Sequence, residues 1–304
     1  MSDGVRPTLA ELVALRAAAT GRRMPPRGRH GIHGHGLSPL RGRGMEYAES
    51  REYAHGDDAR HIDWRLTARS GRAHTKLFQA ERERLTLIVA DTSPSLYFGT
   101  RVRFKSVQAA RAGAIAAWTA VRDGDRIAAL RGSTDEAPVA PASGPRGALR
   151  VLDALVRWYA APPADDAGLA YALDHAARLL RPGSRLVVLA DPASVAGDNE
   201  ATAWPQARWA GLARHHEVMV VLLVDPFEQA PPRAPVVFAT GGRRLELDLS
   251  AAAQRTAWAR AFEGAVARAL EQLPARGVRV HALATDASSD AWLSQLGPAR
   301  ARVA

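Results

Sequence analysis

Short apolar runs alternate with longer amphipathic stretches over most of the chain after residue 84. The runs are continuous and rich in Val, Ile and Leu, which is typical of buried strands, and the longer stretches repeat their apolar residues with the period of a helix. We expect strands at residues 85–90, 126–130, 185–191, 218–224 and 278–284 and helices at 104–121, 149–159, 169–180, 206–215, 250–273 and 287–296, with a hairpin at 236–249 that turns at Gly241 and Gly242. This alternation predicts an α/β fold with a mainly parallel sheet and helices on both faces.

The residues before 84 follow another pattern. They read as a polar strand over 45–53, a turn at 56–58, a short helix over 59–68 that begins after Asp58, and an extended stretch over 73–79. Thr8 and Glu11 form a capping-box pattern that predicts a helix near the N-terminus. We therefore expect a basic, partly flexible arm with a short helix (1–41), a segment packed on the main domain (42–83) and the main domain (84–304).

Charge and composition narrow the function. Basic residues outnumber acidic ones by 41 to 31, and only Lys76 and Lys105 are lysines. Residues 12–45 hold seven arginines and no acidic residue. That arm could touch an acidic protein, phosphate or anionic lipid, but it lacks aromatic or helical docking features, so we expect a solvated tail and no specific nucleic acid. The chain has no cysteine, no signal-like segment and no apolar run of about 18 residues, which favours a cytoplasmic protein without a membrane span.

Three oxygen-bearing side chains follow the first predicted strand of the main domain. Asp91, Ser93 and Ser95 form an Asp-x-Ser-x-Ser motif, and Asp191 follows a second apolar strand. Because parallel strands present their carboxyl ends at one edge of the sheet, these side chains are expected to face one cavity. Hydroxyls and carboxylates are ligands for Mg²⁺ or Mn²⁺. The same residues also suit a turn and helix cap, so both interpretations stay open here.

This motif resembles the metal-ion-dependent adhesion site of the von Willebrand factor A fold, which is Rossmann-like. The resemblance implies that Asp91, Ser93, Ser95 and Asp191 match four of five ligand positions. The fifth, a threonine, has no counterpart, and Asp166 is the residue that could replace it. Three carboxylates around a divalent ion would leave the site net negative and disfavour a carboxylate from a partner.

A second resemblance lies upstream of the motif. The spaced residues that carry it are Glu46, Tyr47, Glu49, Arg51, Tyr53, Gly56, Asp57, Asp58, Arg60, Ile62, Asp63, Trp64, Ala68, Arg69, Lys76 and Phe78. The pattern is similar to the signature of a bacterial family known as domain of unknown function 58 (DUF58). The resemblance implies a von Willebrand factor A-like domain that works with a MoxR-type AAA+ ATPase and its client proteins.

The polar and aromatic residues of this signature are candidates for an interaction surface. The candidates are Glu46, Glu49, Arg51, Tyr53, Asp57, Asp58, Arg60, Asp63 and Trp64. Tyr47, Tyr53, Trp64 and Phe78 are expected to form a small core, with the charged residues paired around it. Both a docking face and an interdomain brace fit such a charged network.

Other catalytic or metal patterns are weaker. His30, His33 and His35 lack a fourth zinc ligand nearby, no serine lies in a nucleophile-elbow pattern, and no P-loop occurs. We therefore predict a non-enzymatic protein-interaction module that works with the ATPase. The alternatives are a metal-dependent phosphoester hydrolase and a structural module with a vacant metal site.

Overall fold

The alternating pattern folds as predicted into strands and helices in a computed structural model, which describes residues 4–20, 41–42, 46–79, 84–196, 204–240 and 243–294. The strands are β1 (Arg41–Gly42), β2 (Glu46–Glu52), β3 (His74–Gln79), β4 (Leu85–Ala90), β5 (Arg126–Arg131), β6 (Val139–Ser143), β7 (Arg185–Ala190), β8 (Glu217–Val224), β9 (Pro235–Thr240), β10 (Arg243–Asp248) and β11 (Arg279–Ala284). The helices are α1 (Leu9–Ala14), α2 (Arg16–Thr20), α3 (Trp64–Ser70), α4 (Lys105–Arg122), α5 (Gly144–Trp158), α6 (Gly168–Leu179), α7 (Pro192–Ala196), α8 (Gln206–His215), α9 (Pro226–Gln229), α10 (Ala252–Ala261), α11 (Glu263–Gln272) and α12 (Ala291–Ser294).

In the described residues, the central sheet has six strands in the order β11-β8-β7-β4-β5-β6. All neighbouring pairs are parallel except β5 and β6. The chain runs from β4 outward to β5 on one side and later returns to β7 on the other side. The strand order therefore reverses between β4 and β7, and this switch point is where open α/β sheets form a crevice at their carboxyl edge.

The core fills both faces of this sheet, because successive strand residues point to opposite sides. Ile88 and Ala90 pack with α1, α4 and α5, whereas Leu87 and Val89 pack with α6 and the later helices. The small residues of α4 allow a close approach of its neighbours. A Cβ added at Gly113 would lie 2.8 Å from a methyl carbon of Leu155. The α/β architecture with helices on both faces is thus confirmed, and its strand order is consistent with a von Willebrand factor A-type fold. No helix in the described ranges is long and apolar enough to cross a membrane.

The N-terminal helices belong to the core, which corrects the expectation of a solvated tail for this part of the arm. Leu12 is fully buried, and Trp118 of α4 donates its indole N–H to the Leu12 carbonyl at 3.0 Å. The Thr8 hydroxyl accepts from the backbone N–H of Glu11, as a cap should, but the Glu11 carboxylate pairs with Arg111. The arginines at 22–29 and the histidines at 30–35 lie outside the described residues.

Two helices predicted from the sequence are divided in the structure. The predicted helix 59–68 becomes a 3₁₀ turn (Ala59–His61) followed by α3, because Asp63 provides a second cap. The predicted helix 250–273 is interrupted at Phe262, and α10 contacts α9 while α11 contacts α7 and β11. The predicted helix 287–296 is described as helical only in α12, and a polar turn precedes it, in which Ser289 hydrogen-bonds to Gln108.

The hairpin β9–β10 is confirmed and stands apart from the central sheet. Edge strand β6 was not predicted. It contains Pro141, which is tolerated because an edge strand leaves some backbone N–H groups without a ladder partner. The boundaries of the predicted segment 42–83 and its packing on the main domain stay predictions.

Candidate functional site at the carboxyl edge of the sheet

The two predicted strand-end aspartates lie on either side of the switch point. The backbone N–H of Asp91 donates to the Leu189 carbonyl at 2.9 Å, and the backbone N–H of Asp191 donates to Oδ2 of Asp91 at 3.0 Å. The ends of β4 and β7 are therefore joined through the Asp91 side chain. The two aspartates thus lie at one edge of the sheet, and the expectation that they face one cavity stays a prediction.

Asp91 lies beneath the surface. It is 1% exposed, and its other oxygen, Oδ1, accepts the backbone N–H of Ser93 at 2.9 Å. Burial raises the pKa of Asp91, although the hydrogen bonds from Ser194, Ser93 and Asp191 act in the opposite direction. The carboxyl group thus has a structural role in the turn as well as a place at the site.

The serine hydroxyls form the outer layer of the site. A 3₁₀ turn (Pro94–Leu96) brings Oγ of Ser93 and Oγ of Ser95 to within 3.1 Å, and Ser95 is exposed. A third serine, Ser194, was not identified by the sequence analysis. Its Oγ atom lies 3.5 Å from Oγ of Ser93. Neighbouring ligands of an octahedral Mg²⁺ at about 2.1 Å are about 3 Å apart, so the serine pair fits such an ion.

Asp166, the predicted replacement for the missing threonine, lies at the border of the site. Its Oδ1 accepts from the Thr92 hydroxyl at 3.1 Å and from the backbone N–H of Gly168 at 3.2 Å. Asp165 instead pairs with Arg131 at 2.8 Å. Asp166 therefore contacts Thr92, the residue next to Asp91. Its other described side-chain hydrogen bond is to the backbone of Gly168 in its own loop.

Lys105 is another residue of this edge that the sequence analysis did not identify. It is 1% exposed at the first position of α4, and its Nζ donates to Oδ2 of Asp191 at 2.7 Å and to Oε1 of Glu228 at 2.5 Å. Burial lowers the pKa of Lys105, but the two carboxylates raise it more, so the net direction is upward and the ammonium stays charged. The signal was present in the sequence, because lysine is rare in this arginine-rich chain.

The five predicted ligands therefore do not form a single coordination shell. Asp91, Ser93 and Ser95 come together, whereas Asp191 is committed to Lys105 and to the backbone N–H of Ala193 at 2.9 Å. Within the described ranges, no group of three or more acidic or histidine side chains is arranged to hold a metal ion. The two serine hydroxyls thus have the spacing of neighbouring ligands, whereas both carboxylate oxygens of Asp191 already accept hydrogen bonds.

Asp225 anchors the same edge from β8. Its carboxylate accepts from the hydroxyls of Thr100 at 2.5 Å and Thr285 at 2.7 Å, and it caps α9 through Phe227. Burial raises the pKa of Asp225, but these hydrogen bonds lower it more, so the net shift is downward. Asp225 connects the loop after the serine motif with the end of β11.

An open apolar groove begins beside the serine pair. It has a volume of about 480 Å³ and lies between the hairpin β9–β10 and α10. Most of its lining residues are apolar, among them Phe98, Phe238, Leu245, Trp258 and Phe262, and the polar residues Ser95, Glu228 and Gln254 also line it. Phe238 and Trp258 are stacked with ring centroids 5.7 Å apart. The groove is therefore continuous with the exposed end of the Asp-x-Ser-x-Ser motif.

In the signature segment, Arg51, Tyr53 and Asp57 pair with one another. The Arg51 guanidinium contacts the Asp57 carboxylate at 2.7 Å, and the Tyr53 hydroxyl donates to the Asp57 carbonyl at 3.0 Å. These contacts brace the loop between β2 and the 3₁₀ turn. Glu46 and Glu49 lie in β2, but their side chains are outside the described part of the structure.

Asp58 and Asp63 cap helices. Asp58 accepts from the backbone N–H of Arg60 at 3.0 Å and pairs with the Arg60 guanidinium, while Asp63 accepts from Leu66 N at 3.1 Å and from Ser50. Trp64 is 70% exposed, so the expectation that it belongs to a small core is wrong. It is the first residue of α3 and directly follows the capping residue Asp63.

Comparisons with known proteins agree with the signature. A family model described as "Protein of unknown function DUF58" matches residues 49–268. Uncharacterized proteins of Mycobacterium tuberculosis (strain H37Rv) and Mycobacterium bovis are each 32% identical over 196 residues, which is 64% of this chain. The match spans 60% of the length of these relatives.

Proposed function

The chain belongs to the DUF58 family, and from this premise we propose that it is a non-enzymatic protein-interaction module that works with a MoxR-type AAA+ ATPase and its clients. The ATPase is taken from the family resemblance of the signature. The geometry supports the interaction role through one observation, which is the open apolar groove beside the serine motif.

Apolar surface on this scale normally marks a site of interaction, since water-exposed apolar grooves are rarely retained without a partner. Leu245 on the hairpin wall is 52% exposed, and it faces Phe238 across the hairpin register. We propose that an apolar segment of a partner protein fills this groove while its polar flank contacts Ser93 and Ser95.

Trp64 is the proposed contact on the signature segment. It is 70% exposed and directly follows Asp63, which caps α3, while Asp58 caps the 3₁₀ turn just before it, so both aspartates help to fix the backbone of this surface. Exposed tryptophans on rigid elements are frequent anchors of protein interfaces. In this proposal the braced residues shape the surface and the tryptophan carries the contact.

The hairpin supplies a matched pair of variants for a test. Leu245→Asp places a charge in the groove, whereas Val237→Asp places it on the opposite face of the hairpin, where Val237 is 46% exposed and pairs with Glu246. When a tagged chain is co-expressed with the MoxR-type ATPase, the ATPase should be recovered with the wild type and with V237D and lost with L245D. Equal recovery with both variants would exclude the groove from the contact.

The predicted Mg²⁺ or Mn²⁺ ion and the cytoplasmic location stay predictions. An ion at this edge would be held by Asp91, Ser93 and Ser95, and it would supply a positive point for a partner's oxygen atoms. The proposed interaction does not depend on that ion.

A further inference from the structure

Lys105 occupies an unusual position for a lysine. It is the first residue of α4, where the helix dipole disfavours a positive charge, and its side chain is 1% exposed. A buried charge persists only where it is paired. Residues whose local preference disagrees with their position in the fold are typical of functional sites. Here the ion pairs with Asp191 and Glu228 offset the cost of burying the ammonium at the start of a helix.

Three carboxylates lie at this edge, with Asp191 in contact with Asp91 through its backbone N–H and with Lys105 through its side chain, and they come from separate elements. Asp91 and Asp191 follow β4 and β7, and Glu228 lies in α9, where its Oε2 accepts the backbone N–H of Asp225 at 3.0 Å. Without a cation, these side chains would repel one another in a buried region. The ammonium of Lys105 contacts two of them directly, Asp191 and Glu228. It therefore lies buried between the end of β7 and α9.

We propose that the Lys105 ammonium neutralises the negative charge of the carboxylates at this edge in the place of a divalent ion. In this proposal the edge folds and binds its partner without a divalent ion. Asp191 cannot bind a divalent ion and the ammonium through the same oxygen without strong repulsion between the two cations. A compact ammonium also suits this position better than a planar guanidinium, which accounts for a lysine here in a chain that has only one other. The inference does not depend on which partner uses the edge.

Thermal melting of the full chain in EDTA and in 5 mM MgCl₂ or MnCl₂, at about equal ionic strength, tests this proposal. The wild type should show no cation-specific shift. Lys105→Met should melt lower in EDTA, because Asp191 and Glu228 lose their partner, and Mg²⁺ or Mn²⁺ should restore much of the loss. Lys76→Met, at the other lysine, should resemble the wild type in both buffers.

The outcomes separate the possibilities. A wild-type shift as large as that of K105M would overturn the proposal and favour a resident divalent ion. A K105M protein that is destabilised but shows no response to either ion would also overturn it. If K105M does not fold, Lys105→Gln keeps a hydrogen-bond donor without the charge, and the same cation-dependent recovery is required of it. The melting result is obtained without any partner, so it is independent of the ATPase experiment.

Discussion

At the scale of single residues, the side chains of the candidate site have two roles. Asp91 holds the ends of β4 and β7 together by accepting backbone N–H groups from Ser93 and Asp191. Ser93 and Ser95 share a hydrogen bond at the surface. In this motif the buried Asp91 stabilises the turn, and the two serine hydroxyls lie near the surface.

We predict that Asp91→Ala lowers the free energy of unfolding by about 2–4 kcal/mol, because two backbone N–H groups lose their acceptor. Urea unfolding followed by circular dichroism measures this. The double variant S93A/S95A should change stability by less than about 1 kcal/mol, since both hydroxyls lie near the surface. An Asp91→Ala protein as stable as the wild type would contradict the structural role, and the double serine variant is the cleaner probe of binding.

At the scale of elements, the opposite edge of the sheet is held by buried ion pairs. Arg84 contacts both oxygens of Asp125 through Nε at 2.8 Å, and Glu217 pairs with Arg185 at 3.1 Å and with Arg279 at 2.9 Å. Burial raises the pKa of Glu217, but Arg185 and Arg84 lower it more, so the net shift is downward. The starts of β4, β7, β8 and β11 are thereby linked electrostatically.

This network predicts a pH dependence. Because the pKa of Glu217 is lower in the folded state, its contribution is complete above the unfolded pKa of about 4.3 and is lost as the pH falls through the folded value. Glu217→Gln should lower stability at pH 7 by about 3 kcal/mol, since Arg185 and Arg84 lose a buried partner. Its melting temperature should also fall less steeply than that of the wild type between about pH 5 and pH 3. Parallel pH profiles of the two proteins would contradict this assignment.

Helix α3 carries a prediction about binding. Trp64→Ala should leave stability within about 0.5 kcal/mol, because the indole is 70% exposed, but it should weaken ATPase binding by about 2 kcal/mol, or roughly thirtyfold. Arg69→Ala, in the last turn of the same helix, is the control and should bind as the wild type does. Biolayer interferometry gives both affinities. A W64A variant that binds normally would remove α3 from the interface.

The sequence patterns predicted the secondary-structure elements but not the contacts between distant residues. The apolar runs predicted the parallel strands and the hairpin because their burial is set locally by continuous β-branched and aliphatic residues. The charge partners were not predictable in the same way. Lys105 meets Asp191 and Glu228 across 86 and 123 residues of chain, and only the strand order brings them together. Trp64 was assigned to a core because its aromatic character, without tertiary context, suggests burial.

At the scale of the whole molecule, the sheet divides the functions between its two edges. The amino edge carries the buried arginine and carboxylate network, and the carboxyl edge carries the serine pair, the lysine-compensated carboxylates and the apolar groove. The hairpin that forms one wall of the groove is inserted between β8 and α10 and adds apolar surface next to the switch point. We expect partner binding to use this edge, where rigid strands support an exposed surface.

Whether the chain is an interaction module is decided by calorimetric titration of the purified chain into the MoxR-type ATPase. We expect saturable binding with a Kd of about 10 μM or tighter, and no turnover of a generic phosphoester by the chain alone. The interaction role would be contradicted by the absence of binding, above all if the chain instead showed Mg²⁺-dependent phosphoester hydrolysis that a folded S93A/S95A variant lacks.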